Sequence, residues 1–101
     1  MTNGKNQSKL TEKEVKNNLP KWFTGEVYHQ GDIVRNPFSG EEFELTAEEL
    51  SMYDFIKGAE YVLNAPHYQN HDRLSKLSKE FDKALRWFSK NNINAYMALL
   101  D

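Results

Sequence analysis

The chain has 101 residues, a formal net charge of −2 and no cysteine. That length holds one domain around one modest core, and the missing thiols exclude disulfides, thiolate metal sites and cysteine nucleophiles. No apolar run approaches the roughly 20 residues of a membrane span, and the first twenty residues are too polar for a secretory signal; the expectation is a cytoplasmic protein without a membrane partner.

The small net charge hides a pattern. Residues 1–21 carry five Lys against two Glu, residues 22–66 two basic groups against nine acidic ones, and residues 67–101 six basic against four acidic. An acidic middle and basic flanks can attract each other within one molecule or between copies, or simply stay solvated. No dense basic patch is present to meet the phosphates of a duplex, so duplex nucleic acid is not an expected partner.

Residues 1–18 are polar and rich in Lys and Asn, with only Leu10 and Val15 to bury. The segment reads as a flexible polar N-terminal stretch, disordered up to about Ser8. Thr11 followed by Glu14 has capping-box spacing, which allows a short helix over Glu12–Asn17. From residue 19 to 101 the chain reads as a single small domain. Trp22–Tyr28 is expected to form a first strand, His29–Asp32 a turn, Asp32–Arg35 a second strand and Glu41–Leu45 a third. Between the last two, Pro37 suits the second position of a turn and Gly40 suits positive φ. The expectation for residues 19–46 is a three-stranded antiparallel meander.

Thr46–Asn64 is the central helix. Thr46 and Glu49 form a second capping-box pattern, and Leu45 and Leu50 have the spacing of a hydrophobic staple. Met52, Phe55, Ile56, Ala59, Val62 and Leu63 recur at helical spacing. Gly58 costs roughly 1 kcal/mol against Ala in a helix interior, so it is expected to mark a close approach by another element. Pro66–Asn70 reads as a linker. Residues 71–90 form a second helix with the stripe Leu74, Leu77, Phe81, Ala84, Leu85 and Phe88, expected to pack on the first as a helical hairpin. Asn91 and Asn92 stop it. Residues 93–100 form a short third helix whose stripe Ile93, Tyr96, Met97 and Leu100 is expected to fold back on the body. The fold class is therefore α+β: a three-stranded meander on a helical hairpin, with a short C-terminal helix and a loose N-terminus.

Chemistry-bearing patterns are sparse. His67 and His71 at i and i+4, with Asp72, are the candidate metal ligands, although His67 follows Pro66 in a linker and no HExxH pattern is present. Helix-start polar residues are the competing explanation. The carboxylates Glu41, Glu42, Glu44, Glu48 and Glu49 have capping or solvent-face explanations as well as acid–base ones. Neither Ser39 nor Ser51 sits in a GxSxG context, and no phosphate-binding glycine loop occurs.

Aromatic residues carry the remaining signal. Trp22, Gly25, Tyr28, Gly31, Asp32 and Val34 match the W-x-x-G-x-x-Y-x-x-G-D-x-V opening that residues 21–34 share with small chitin-binding modules. The resemblance implies a sugar-binding sheet, but in those modules later surface tryptophans hold the sugar, whereas this chain continues into helices. A second resemblance spans residues 19–63 and 85–101, through LPKWFTGEVY, NPFSGE, ELSMYDFIKGAE and the WF.KNN..AYM.LLD tail. These stretches are similar to small uncharacterised proteins of marine T4-like phages and marine metagenomes. That likeness implies a provenance and no activity, cofactor or site.

The leading expectation is a non-enzymatic interaction protein without a cofactor, a phage accessory or structural factor in the host cytoplasm. It would bind a protein or self-associate through Trp22, Tyr28, Phe38 and Trp87, since amphipathic aromatics dominate interfaces. The competing placement puts all four in the core. The alternative function is a ligand-binding module for carbohydrate or single-stranded nucleic acid, using aromatics of the sheet face.

Overall fold

The computed structural model describes residues 10–65 and 71–101. The expected disorder up to Ser8 and the linker Pro66–Asn70 lie outside the described residues. In chain order the elements are α1 (Glu12–Asn17), β1 (Asp32–Arg35), β2 (Glu42–Leu45), α2 (Ala47–Leu63), α3 (His71–Asn91) and α4 (Ile93–Leu99).

Helix starts follow from local chemistry. At α1 the Thr11 hydroxyl accepts from the Glu14 N–H (3.1 Å) and the Glu14 carboxylate accepts from the Thr11 N–H (2.7 Å). Thr46 and Glu49 repeat the exchange at α2, at 3.2 and 3.0 Å. Each box satisfies N–H groups that a helix start leaves without intrahelical partners. Asn92 caps α4 by accepting from the Ala95 N–H, and its amide donates to the Glu49 carboxylate (3.2 Å). One carboxylate thus ties the start of α2 to the α3–α4 corner.

α2 and α3 pack as a helical hairpin, α4 packs on α3 and β2, and α1 lies against α2. Val15, Leu45, Met52, Ile56, Ala84, Phe88 and Ala95 are buried between them. The N-terminal segment is therefore not loose from Leu10 onward. Val15 is fully buried and the Leu10 N–H donates to the His29 carbonyl (3.0 Å).

The sheet corrects the expected meander: among the described residues it has two antiparallel strands, with Val34 opposite Phe43 and Arg35 opposite Glu42. Trp22–Tyr28 is not a strand. Two of its N–H groups are committed elsewhere: Phe23 donates to the Pro20 carbonyl (3.0 Å), closing a turn, and Tyr28 donates to the Ser51 hydroxyl on α2 (2.9 Å). Phe23 is buried and Gly25 and Val27 are half-buried while Thr24 and Glu26 are exposed, so the alternation of a strand is present from 23 to 27; what is missing among the described residues is a strand for it to pair with. The Phe23 ring lies back over Gly25, where a Cβ would come within 2.7 Å of it. The segment wraps α2 as an irregular strap.

Two further expectations are revised. Among the described residues nothing lies within 4 Å of a Cβ built on Gly58, so none of them makes the expected close approach. α4 folds back on α3 and β2 as expected, but its stripe is divided: Tyr96 and Leu100 are half-buried against the core, and the other half does not join them. Ala95, Ala98 and Leu99 are the buried side of α4, while Ile93 and Met97 are 52% and 60% exposed. The small side chains of Ala95 and Ala98 let the helix sit close to its neighbours, and burying them turns the larger residues away.

Candidate functional site

The four aromatic candidates separate into two kinds. Trp22 belongs to a ring cluster, 6.4 Å from Phe23 and 6.3 Å edge-on from Phe55, with the Lys83 ammonium of α3 6.0 Å from its ring centroid. Offset and edge-on rings at such distances attract through their quadrupoles, and a cation over the indole face adds to this. Tyr28 is held by the strap, and its phenol shares a hydrogen bond with Asp54. Loss of water around the phenol, and then the charges of Asp54 and Glu26, push its pKa above the ordinary 10.0. Trp87 is half-buried against the core, and its carbonyl accepts from the Asn91 amide (2.8 Å). All three are half-buried and make contacts within the monomer.

Phe38 is different. It is 95% exposed, at the tip of the hairpin between β1 and β2. The tip is held from several sides. The Asn36 side-chain oxygen accepts from the Phe38 N–H (2.8 Å) and the Ser39 N–H (3.3 Å), and the Asn36 amide donates to the Ala98 carbonyl at the end of α4 (2.9 Å). Gly40 closes the turn at φ +83°, a conformation that costs a side-chain-bearing residue energy, and its N–H donates to the Asn36 carbonyl (2.9 Å). Asn36 therefore fixes both the turn and its distance from α4.

Phe38 stands at the rim of a groove of about 340 Å³ that runs between α2, α3 and α4. Phe81 and Leu85 of α3, with Tyr96 and Leu100 at the end of α4, supply its apolar wall. Helical geometry places Tyr96 and Leu100 beside Ile93 and Met97 on α4, so groove and exposed stripe form one apolar face. Lys57 and Glu60, paired at 3.1 Å, and Asp101 give its margin both charge signs. The sequence pointed to Phe38 but not to this setting. The stripe at 93, 96, 97 and 100 was legible; the signal for the exposure of Ile93 and Met97 is the buried Ala95–Ala98 pair on the opposite side.

A larger groove, of about 790 Å³, lies between α2, α3 and the strap. Phe55 and Gly58 are among its lining residues, Tyr61 stands 79% exposed beside them, and charges of both signs, Asp54, Lys76 and Glu80, edge it.

The other candidates do not converge. Asp72 is exposed in the first turn of α3, His67 lies outside the described residues, and of His71 the backbone alone is described, as the first residue of α3. No group of three or more His, Asp or Glu able to hold a metal occurs among the described residues. Glu48 accepts from the Asn18 amide (2.7 Å) and Glu49 is used by its cap and by Asn92, while Glu41, Glu42 and Glu44 are exposed. The solvent side of the hairpin carries Ile33, Arg35, Glu42 and Glu44, with no aromatic ring on which a sugar or base could stack. No described helix is long and apolar enough to cross a membrane. Against known proteins, no family model matches the chain, and no curated protein or solved structure does either.

Proposed function

We propose that this protein is a non-enzymatic interaction module that binds another protein through the face formed by Phe38, the outer stripe of α4 and the groove between them. The observation that carries this reading is the presentation of Phe38: a large apolar ring, 95% exposed, on a turn locked by Asn36 and Gly40. Exposing such a ring gains the monomer nothing, since burying a Phe side chain is worth about 1.5–3 kcal/mol. A turn whose backbone is already fixed loses little backbone entropy on docking, which favours an interface anchor at its tip. The adjoining apolar groove and the exposed Ile93 and Met97 extend the anchor into a patch of the kind that marks protein contacts. The resemblance to marine phage proteins supplies the setting: an accessory or structural factor at work in the host cytoplasm.

The test is site-specific photo-crosslinking in the cell that makes the protein. A photoreactive phenylalanine analogue replaces Phe38, Met97 or, as a control in the other groove, Tyr61. Discrete adducts from positions 38 and 97, with none from 61, are the expected result. No adduct from position 38 overturns the reading.

A further inference from the structure

We infer that the outer face of α3 is a second binding surface, for a single strand of nucleic acid held through its phosphates. It is separate from the Phe38 face. Lys76, Lys79, Lys83, Arg86 and Lys90 follow one another along α3 in steps of three or four residues. At 3.6 residues per turn such steps stay within an arc of about 80°, and no other residue from 76 to 90 falls in it. The five cations form a single file about 21 Å long, at a rise of about 1.5 Å per residue. All five are exposed, and their arc is opposite the side on which Ala84 and Phe88 are buried.

Charge totals along the sequence hide this file, because acids are interspersed among its bases. The helix sets Glu80 and Asp82 to either side of the file and leaves Asp72 at its N-terminal end. Among the described residues, none of the five has a carboxylate within ion-pairing distance. Lys83 instead meets the Trp22 ring, 6.0 Å from its centroid. Like charges on successive turns destabilise a helix, a cost that an adjoining polyanion relieves.

The form of the file selects the occupant. Four of its five members are lysines, point charges that suit a phosphate backbone without reading sequence. Both tryptophans of the chain border it: Trp22 beside Lys83, and Trp87 one helical turn from Lys83 and Lys90. Each indole is half-buried and so keeps an accessible part at the edge of the file. Single strands are held in this way, with a cationic track along the backbone and aromatic rings for the bases to stack on. An acidic peptide would meet the charges and leave the rings unused. An anionic membrane would need large apolar residues beside the cations, whereas Phe81 and Leu85, at the Phe38 groove, are on the opposite side of the helix.

Titration of the full chain with labelled oligothymidylate of about 15 nucleotides tests this, read by strand anisotropy and by tryptophan fluorescence. Binding is expected at about 50 mM salt, with log K falling against log salt at a slope of about −3.5, roughly −0.7 for each of five neutralised phosphates. Bound strand should quench the tryptophans. The triple variant Lys79→Gln, Lys83→Gln, Arg86→Gln changes exposed helix positions only, and its unchanged circular dichroism would show it folded. It should bind at least about 30-fold more weakly, with a slope reduced to about −1.4. Arg35→Gln removes a positive charge from the hairpin and should alter neither value. No binding at about 50 mM salt, tighter binding of polyglutamate or of a duplex of the same length, or a slope unchanged in the triple variant each overturns the inference. Photo-adducts at position 38 report on the Phe38 face alone, so either surface can fail without the other.

Discussion

The strap over residues 22–28 turns its aromatics inward and α4 leaves half of its apolar stripe outside, each against what its sequence suggests. The strap has the composition of an exposed aromatic strand, yet Phe23 is buried and Trp22 and Tyr28 are tucked against α2. α4 has an apolar stripe at the spacing of a core-facing helix, yet Ile93 and Met97 face solvent. Periodicity identifies residues that share a face; it does not say which way the face turns. Anchors set the direction. Ser51 draws the strap inward, accepting from the Tyr28 N–H while donating to the Ala47 carbonyl (2.8 Å). Asn36 and Asn92 position the hairpin tip and the start of α4, and the small Ala95 and Ala98 complete the turn outward.

The largest expected effect sets one ring of each region against the other. Phe23→Ala removes a buried side chain from the Trp22–Phe55 cluster and should cost about 3–5 kcal/mol of unfolding free energy. Phe38→Ala should change monomer stability by no more than about 0.5 kcal/mol. Chemical denaturation of both variants at a concentration that keeps the chain monomeric decides this; similar losses would erase the distinction between inward and outward aromatics.

Ser51→Ala comes next. It leaves the buried-side Tyr28 N–H without its acceptor, an expected cost of about 1–3 kcal/mol. The loss should be accompanied by faster hydrogen exchange at residues 26–29 than at the hairpin. An unchanged exchange pattern would show that the strap is held without its anchor.

The smallest effect is alkaline. The folded protein holds the Tyr28 phenol neutral above its ordinary pKa of 10.0, chiefly through desolvation and then through Asp54 and Glu26. Folded molecules therefore bind more protons than unfolded ones once pH passes about 10. The Tyr28 contribution is complete below that pH and is lost as pH climbs through the raised value. Tyr28→Phe should flatten that part of the stability profile, and a profile identical to the parent's would mean that the phenol is not where the strap places it.

What could be read from the sequence was what neighbours along the chain decide. Thr11 with Glu14, Thr46 with Glu49, and the Asn36–Gly40 turn each depend on side chains within four residues of the backbone they satisfy. The strap and the exposure of Ile93 and Met97 on α4 depend on partners far away. Tyr28 meets Ser51 across 23 residues, Asn92 meets Glu49 across 43, and Asn36 meets Ala98 across 62. The candidate face was legible only as separate parts, Phe38 and the stripe at 93, 96, 97 and 100, for the same reason. Its groove is assembled from α2, α3 and α4, and nothing local announces that Phe81 and Leu85 will line up with Tyr96 and Leu100.

The direction of α4 is open to one direct measurement. In this cysteine-free chain, Met97→Cys and Ala98→Cys place a single thiol on adjacent residues that the structure assigns to opposite environments, 60% and 8% exposed. Thiol labelling in dilute native solution should modify position 97 at nearly the rate of an unfolded control while position 98 stays protected. Protection at 97 with rapid labelling at 98 would turn Ile93 and Met97 toward the core and remove the interaction face with them.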